Sequence, residues 1–119
     1  MKGIKTFTYN EQDLFLRKYL DLFTLLYVVD DNVLQDREKE YFLENVKLNA
    51  AGIDLLSKQA SDHLKALKFQ IRTYRYNLKK KGWLIQTQKG IELPKSFDFK
   101  DKSIPTDLIF NFKFSLINE

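Results

Sequence analysis

The run Leu78-Lys79-Lys80-Lys81-Gly82-Trp83-Leu84 decides how this chain is read. Upstream of it, Leu64, Leu67, Ile71, Tyr74 and Leu78 recur at steps of three and four, the spacing of a helix that buries one face. Gly82 then supplies the left-handed residue on which helices commonly stop, and the three lysines before it sit at the negative pole of the helix dipole. Downstream, Trp83-Leu84-Ile85-Gln86-Thr87, a turn at Gln88-Lys89-Gly90 and Ile91-Glu92-Leu93 closed by Pro94 read as a β-hairpin.

Further out, the N-terminal side reads as helices. Ile4 to Tyr9 forms a short stretch suited to an extended strand, and Asn10 is placed to cap a helix over about Glu11–Val28. The apolar residues of that helix, from Leu14 and Phe15 to Leu26 and Tyr27, cover more than one face in its second half, so it is buried on several sides or packs on another subunit. Asp30-Asp31-Asn32 is a turn. Val33-Leu34-Gln35-Asp36-Arg37-Glu38 opens a second helix, with Glu38 positioned to complete a capping box; it carries Tyr41, Phe42 and Val46 and ends near Asn49, before Gly52. Asp54 is the expected cap of a third helix through Leu55, Leu56, Ala60, His63 and Leu64. At the C-terminal end, Leu108, Phe110, Phe112, Phe114 and Leu116 alternate with Ile109, Asn111, Lys113, Ser115 and Ile117, which predicts a strand with one apolar face over 104–117. Such a face needs a partner: the stretch around Thr6, another copy of the chain, or another protein.

At 119 residues the chain is expected to be one domain, 1–119, and its 44% hydrophobic and 14% aromatic content suits a folded core. The absence of cysteine excludes disulfides and thiolate chemistry. No run is long and apolar enough for a bilayer span, which takes about 20 residues. Met1 to Asp13 lacks the apolar core and cleavage site of a signal peptide, so a cytoplasmic setting is expected. The net charge of +4 conceals an asymmetry. Between Asp62 and Glu92 stand eight bases and no acid, against twelve bases and sixteen acids elsewhere. A basic block on an acidic body is the pattern of a molecule with one polyanion-facing side.

The order helix, helix, helix, basic helix ending in Leu78-Lys79-Lys80-Lys81-Gly82-Trp83-Leu84, then hairpin, resembles winged helix-turn-helix proteins, in particular small bacteriophage-type members. In that family the recognition helix commonly finishes with a Leu, one to three bases and Gly, followed by an aromatic or aliphatic pair that opens the wing. The resemblance covers roughly half of the chain, 34–93. It implies an α+β winged helix-turn-helix fold: three to four helices, a small β-hairpin wing and N- and C-terminal strands. It also implies a break at Ala66–Phe69, which spacing alone would not place, since one helix from Asp54 to Lys81 satisfies the periodicity. The turn Leu67-Lys68-Phe69-Gln70 departs from the family in lacking glycine and a Ser/Thr cap, and the hairpin turn is short for a wing that grips DNA.

With Ile71 at zero on a helical wheel, Leu67, Ile71, Tyr74 and Leu78 face the core, and Arg72, Thr73, Tyr76 and Lys80 lie opposite. Gln70 and Asn77 flank one side of that outer face; Lys68, Arg75 and Lys79 flank the other. Arginine grips guanine, Asn or Gln reads adenine, and lysine neutralises phosphate, so these nine outward positions together with Lys89 at the wing tip form the expected surface for double-stranded DNA. Trp83 is expected to pack the wing onto the domain rather than stack a base.

Nothing in the sequence assembles a catalytic centre. His63 is the one histidine and cannot face its neighbour Asp62 on a helix. The four glycines make no phosphate-cradling loop, and Glu38, Glu40 and Glu44 lack a second set of ligands. The expected protein is not an enzyme, with no cofactor, no metal, no small-molecule substrate and no membrane contact. Two roles stand against each other. One is DNA binding in regulation, replication or packaging. The other is a structural or assembly protein, a virion or adaptor component, that meets protein partners or its own copies through the first helix and through Phe110, Phe112, Phe114 and Leu116. If phage-encoded, its place is the host cytoplasm or the virion.

Overall fold

The computed structural model describes the backbone of residues 2–100 and of residue 104, and the side chains of residues 12–100 and of residue 104. The described elements are α1 (Lys2–Tyr27), α2 (Asp36–Ala50), α3 (Lys58–Ala66), α4 (Ile71–Lys80), β1 (Ile85–Thr87) and β2 (Gly90–Glu92), with 3-10 turns at Asp30–Asn32 and Lys95–Phe97. This is an α+β arrangement of four helices and one antiparallel hairpin. Two compact units are present, Val29–Ser103 and a smaller one that holds α1. The predicted strand over 104–117 lies outside the described residues.

In α1 the expected N-terminal strand is corrected: Lys2 to Tyr27 is one helix, and Asn10 lies inside it instead of capping it. The β-prone residues Ile4, Thr6, Phe7, Thr8 and Tyr9 yield because no glycine or proline interrupts the segment from Ile4 to Tyr27. A helix also satisfies its own backbone, whereas a strand needs a neighbour, and β propensity is set largely by that neighbour. Phe15, Leu16 and Leu20 are buried, and the Phe15 and Tyr19 rings stack at 5.4 Å. Leu14, Leu25, Leu26 and Tyr27 are exposed.

In the larger unit, α2 starts where the sequence placed it. Gln35 is its N-cap, and the Glu38 side chain accepts the Gln35 backbone N–H at 2.9 Å, the reciprocal half of a capping box. The third helix is corrected. Its cap is Ser57, whose Oγ accepts the Ala60 N–H at 3.2 Å, while Asp54 folds the preceding turn by accepting the Leu56 N–H. A hydroxyl at Ser57 serves the cap better because Asp54 is already used, and Leu55 must be released from the helix to enter the core, where it is 4% exposed.

Helices α2, α3 and α4 end alike. At each end the residue three beyond the helix reaches back five residues with its N–H: Ile53 to Leu48, Phe69 to Leu64 and Trp83 to Leu78, at 2.8–3.1 Å. The residue immediately before that donor takes positive φ. Gly52 and Gly82 do so freely, but in the α3–α4 turn it is Lys68, at φ +68°. Left-handed backbone costs a residue with Cβ about 1–2 kcal/mol. Tertiary contacts hold the turn in place: Arg37 Nη2 of α2 donates to the Leu67 carbonyl at 2.6 Å, and its guanidinium lies 3.9 Å over the Phe69 ring. Phe69 is in turn buried against Tyr41 and Tyr74, ring centroids 5.3 and 5.6 Å away. The break therefore falls at the expected place without its usual glycine.

Two aromatic groups join the elements. Tyr41, Phe69 and Tyr74 lock the α3–α4 turn onto α2. Phe42, Trp83 and Phe97 tie the hairpin and the segment beyond it to α2, with Phe42 edge-on to both partners at 5.1 and 5.0 Å. Trp83 is buried and donates Nε1–H to the Asn32 carbonyl at 2.7 Å, so it packs the hairpin as expected. The hairpin pairs Ile85 with Glu92, Gln86 with Ile91 and Thr87 with Gly90 around Gln88-Lys89.

Candidate nucleic-acid interface

Helix α4 is anchored by Leu78, which is fully buried, and by Tyr74 stacked on Tyr41 at 5.4 Å. Ile71 is half-buried. Leu67 is corrected: it is 40% exposed. The chain has left the helix at Ala66, so Leu67 and Lys68 do not follow the angular register of α4.

The remaining sequence-derived positions fall into distinct places. Arg72, Thr73, Tyr76 and Lys80 are exposed on α4, with Tyr76 at 61%. Lys68 and Gln70 are exposed in the turn before α4, and Lys89 is exposed at the hairpin turn. Lys79 is half-buried and donates to Gln86 Oε1 of β1 at 2.7 Å. Arg75 is half-buried, with Nη2 3.5 Å from the Leu55 carbonyl. Asn77 is drawn inward to the Glu38 carboxylate. Phe110, Phe112, Phe114 and Leu116 lie outside the described residues.

Lys81 separates itself from the other cations. Its Nζ sits 2.7 Å from Glu38 Oε1 and 3.1 Å from the Val33 carbonyl, and Glu38 is only 5% exposed. Burial alone would raise the Glu38 pKa. The Gln35 N–H, the Lys81 ammonium and the Asn77 side chain outweigh that and hold it below the ordinary carboxylate value. Lys81 is thus a structural cation that clamps the end of α4 to the start of α2. Lys65, Lys68, Arg72, Arg75, Lys79, Lys80 and Lys89 have no carboxylate within ion-pair distance among the described residues. His63, one turn before the α3–α4 break, bonds across to Glu44 Oε1 of α2 at 2.9 Å, a pairing between helices that spacing along one helix does not reveal.

Sequence reading missed one part of the surface. The first residues of α3 and its outer face place Ser57, Ser61 and Lys65 at successive steps of four, beside the α4 stripe Ile71, Arg72, Arg75, Tyr76 and Lys79. Because serine is small, the two helices leave an open groove of about 490 Å³ between them, with Leu56 at one end. Its rim carries four cations, and the exposed Leu56 and Tyr76 with half-buried Ile71 give it apolar surface. The spacing of Ser57, Ser61 and Lys65 was the available signal, but it gains meaning only once α3 lies against α4.

Burial pushes the Tyr41 phenol pKa up, against the influence of the nearby Arg75 charge, and its hydroxyl is buried without a hydrogen-bond partner at bonding distance among the described residues. No helix among the described residues is long and apolar enough to cross a membrane. No family model, no curated protein and no solved structure matches this chain, so its function is read from the surface itself.

Proposed function

We propose that the Val29–Ser103 unit is a winged helix-turn-helix module that binds double-stranded DNA, with α4 as its recognition helix and the β1–β2 hairpin as a short wing. One observation carries this reading: α4 and its flanks present Arg72, Lys80, Lys68 and Lys89 to solvent with no carboxylate of the described chain neutralising them. A surface of this kind releases counterions when it meets phosphate, which makes affinity strongly salt-dependent. Arg72, Thr73, Tyr76 and Lys80 are assigned to the groove of the duplex, and Lys68, Arg75, Lys79 and Lys89 to its backbone. Gln70 and Asn77 flank the reading face, Asn77 with part of its capacity already committed to Glu38. No catalytic role is proposed.

The test is binding of a labelled duplex across a salt series. A straight, negative slope of log affinity against log salt is the expected result, and retention of the duplex at high salt, or no binding at low salt, would refute it.

A second reading, an assembly or adaptor protein, draws on a different observation. Leu25 is 79% exposed and Tyr27 66%, at the end of α1. Self-association through this helix is its expected form, and a monomeric mass in solution counts against it.

A further inference from the structure

The α3–α4 groove has a composition that regular duplex does not call for. Phosphates on a B-form backbone are met by cations and hydroxyls; they bury no apolar surface. Here an aromatic ring, Tyr76, and two aliphatic side chains, Leu56 and Ile71, lie in the same depression as Arg72, Arg75 and Lys79. Leu56 and Tyr76 remain 46% and 61% exposed, which leaves apolar surface to be covered. The groove volume, about 490 Å³, is in the range of small-ligand sites, about 300–1,000 Å³. Aromatic and apolar surface interleaved with cations matches the two halves of a nucleotide, a stackable base and an anionic phosphate.

We infer that, where a single-stranded segment adjoins the duplex, this groove receives one unpaired nucleotide, its base against Tyr76, Leu56 and Ile71 and its phosphate between Arg72 and Lys79, so that the protein prefers DNA carrying such a segment. Arg72, Tyr76 and Lys79 then exchange the duplex contacts assigned above for the nucleotide, while Thr73, Lys80, Lys68, Arg75 and Lys89 keep theirs. The inference rests on the nucleic-acid reading above and specifies the form of the nucleic acid. A base inside a duplex has both faces stacked and cannot use the ring; an unpaired one can, without first being unstacked. Ser61 lines this groove, so a longer side chain at its position is expected to fill it.

The experiment measures fluorescence anisotropy of three labelled DNAs, a blunt 20-base-pair duplex, the same duplex with a six-base overhang, and the single strand, with unlabelled mononucleotide as competitor. The overhang duplex is expected to bind about tenfold more tightly than the blunt one, as one stacked base provides. Ser61→Gln, which fills the groove and leaves Arg72 and Lys80 in place, is expected to erase that preference while leaving blunt-duplex affinity unchanged. Tyr76→Phe should keep the preference and Tyr76→Ala should lose it. Equal affinity for blunt and overhang duplexes, or a preference that survives Ser61→Gln, overturns the inference and leaves the duplex reading standing. Full competition by free mononucleotide with no gain from the overhang also overturns it, since the ligand is then a free nucleotide. Failure of all three DNAs to bind overturns both readings.

Discussion

Lys80 and Lys81 are neighbours of one residue type at the end of one helix, yet they belong to different regions of the molecule. Lys81 turns inward to a carboxylate that is nearly inaccessible to water and bridges α4 to the start of α2. Lys80 points to solvent, on the face that carries Arg72 and Tyr76. One lysine secures the helix and the other is available to a partner. The lesson is that a count of bases measures the field a surface can project, whereas the position of the matching acids determines which bases project it.

The widest separation between the two lysines is expected in stability. Lys81→Met strands a buried Glu38 without its cation and is expected to cost on the order of 3 kcal/mol in urea unfolding, whereas Lys80→Met stays within about 0.5 kcal/mol. Equal losses for the two would erase the distinction between the structural lysine and the exposed one.

Affinity should divide them in the opposite sense. Replacing Arg72 and Lys80 together by Glu is expected to lower duplex affinity by about 100-fold at low salt and to flatten the salt slope by about two, with unfolding nearly unchanged. Lys81→Met, assayed below its unfolding temperature, should leave affinity within about twofold. Binding unaffected by the double reversal would remove α4 from the interface.

Acid offers a third way to sharpen the comparison. The Glu38 pKa is lowered in the folded protein, so the stability it contributes is complete above the pKa it has when unfolded and disappears as pH falls through its folded value. Thermal unfolding followed from neutral pH to about pH 2 should show that loss, and the loss should be smaller in Lys81→Met, because without the cation the folded pKa of Glu38 is less depressed relative to its unfolded value. Lys80→Met should follow the parent curve. Coincident curves for all three proteins would show that the Glu38–Lys81 pair contributes nothing.

A smaller effect concerns a third lysine. Lys68 occupies the left-handed position that Gly82 fills at the other end of α4. Lys68→Gly is expected to raise stability by about 1 kcal/mol by relieving the Cβ penalty, and Gly82→Ala to lower it by about 1–2 kcal/mol. If Lys68→Gly is destabilising, the aliphatic stem of Lys68 supports the turn more than its backbone strains it.

Much of the local structure was legible along the chain, and the reasons are local. Gly82 after three lysines stops a helix whatever surrounds it, Glu38 three residues past Gln35 closes a capping box, and the residues from Trp83 to Pro94 pair only as a hairpin. The break before Ile71 follows only from the resemblance to winged helix-turn-helix proteins, since periodicity alone allows one continuous helix. Its physical cause, Arg37 of α2 bonded to the Leu67 carbonyl and Phe69 drawn into the Tyr41–Tyr74 cluster, involves residues some thirty positions away. The same distance explains what was missed. Phe97 enters the core beside Phe42 and Trp83 from a segment with no periodic signal of its own, and the first helix begins at Lys2 because strand propensity without a neighbouring strand has nothing to bond.

For the candidate surface the division is sharper. The sequence by itself determined that a stretch without acids runs from the end of α3 to the hairpin, and that α4 must turn Leu78 inward, because charge content and helical period are properties of neighbours in the chain. Only the tertiary structure decided that Lys81 is consumed by Glu38, that Asn77 leans the same way, and that Ser57 and Ser61 open a groove beside Arg72 and Tyr76. Electrostatic pairing and the emptiness of a groove depend on distances through space, which the order of residues does not state until helices from remote parts of the chain are packed together.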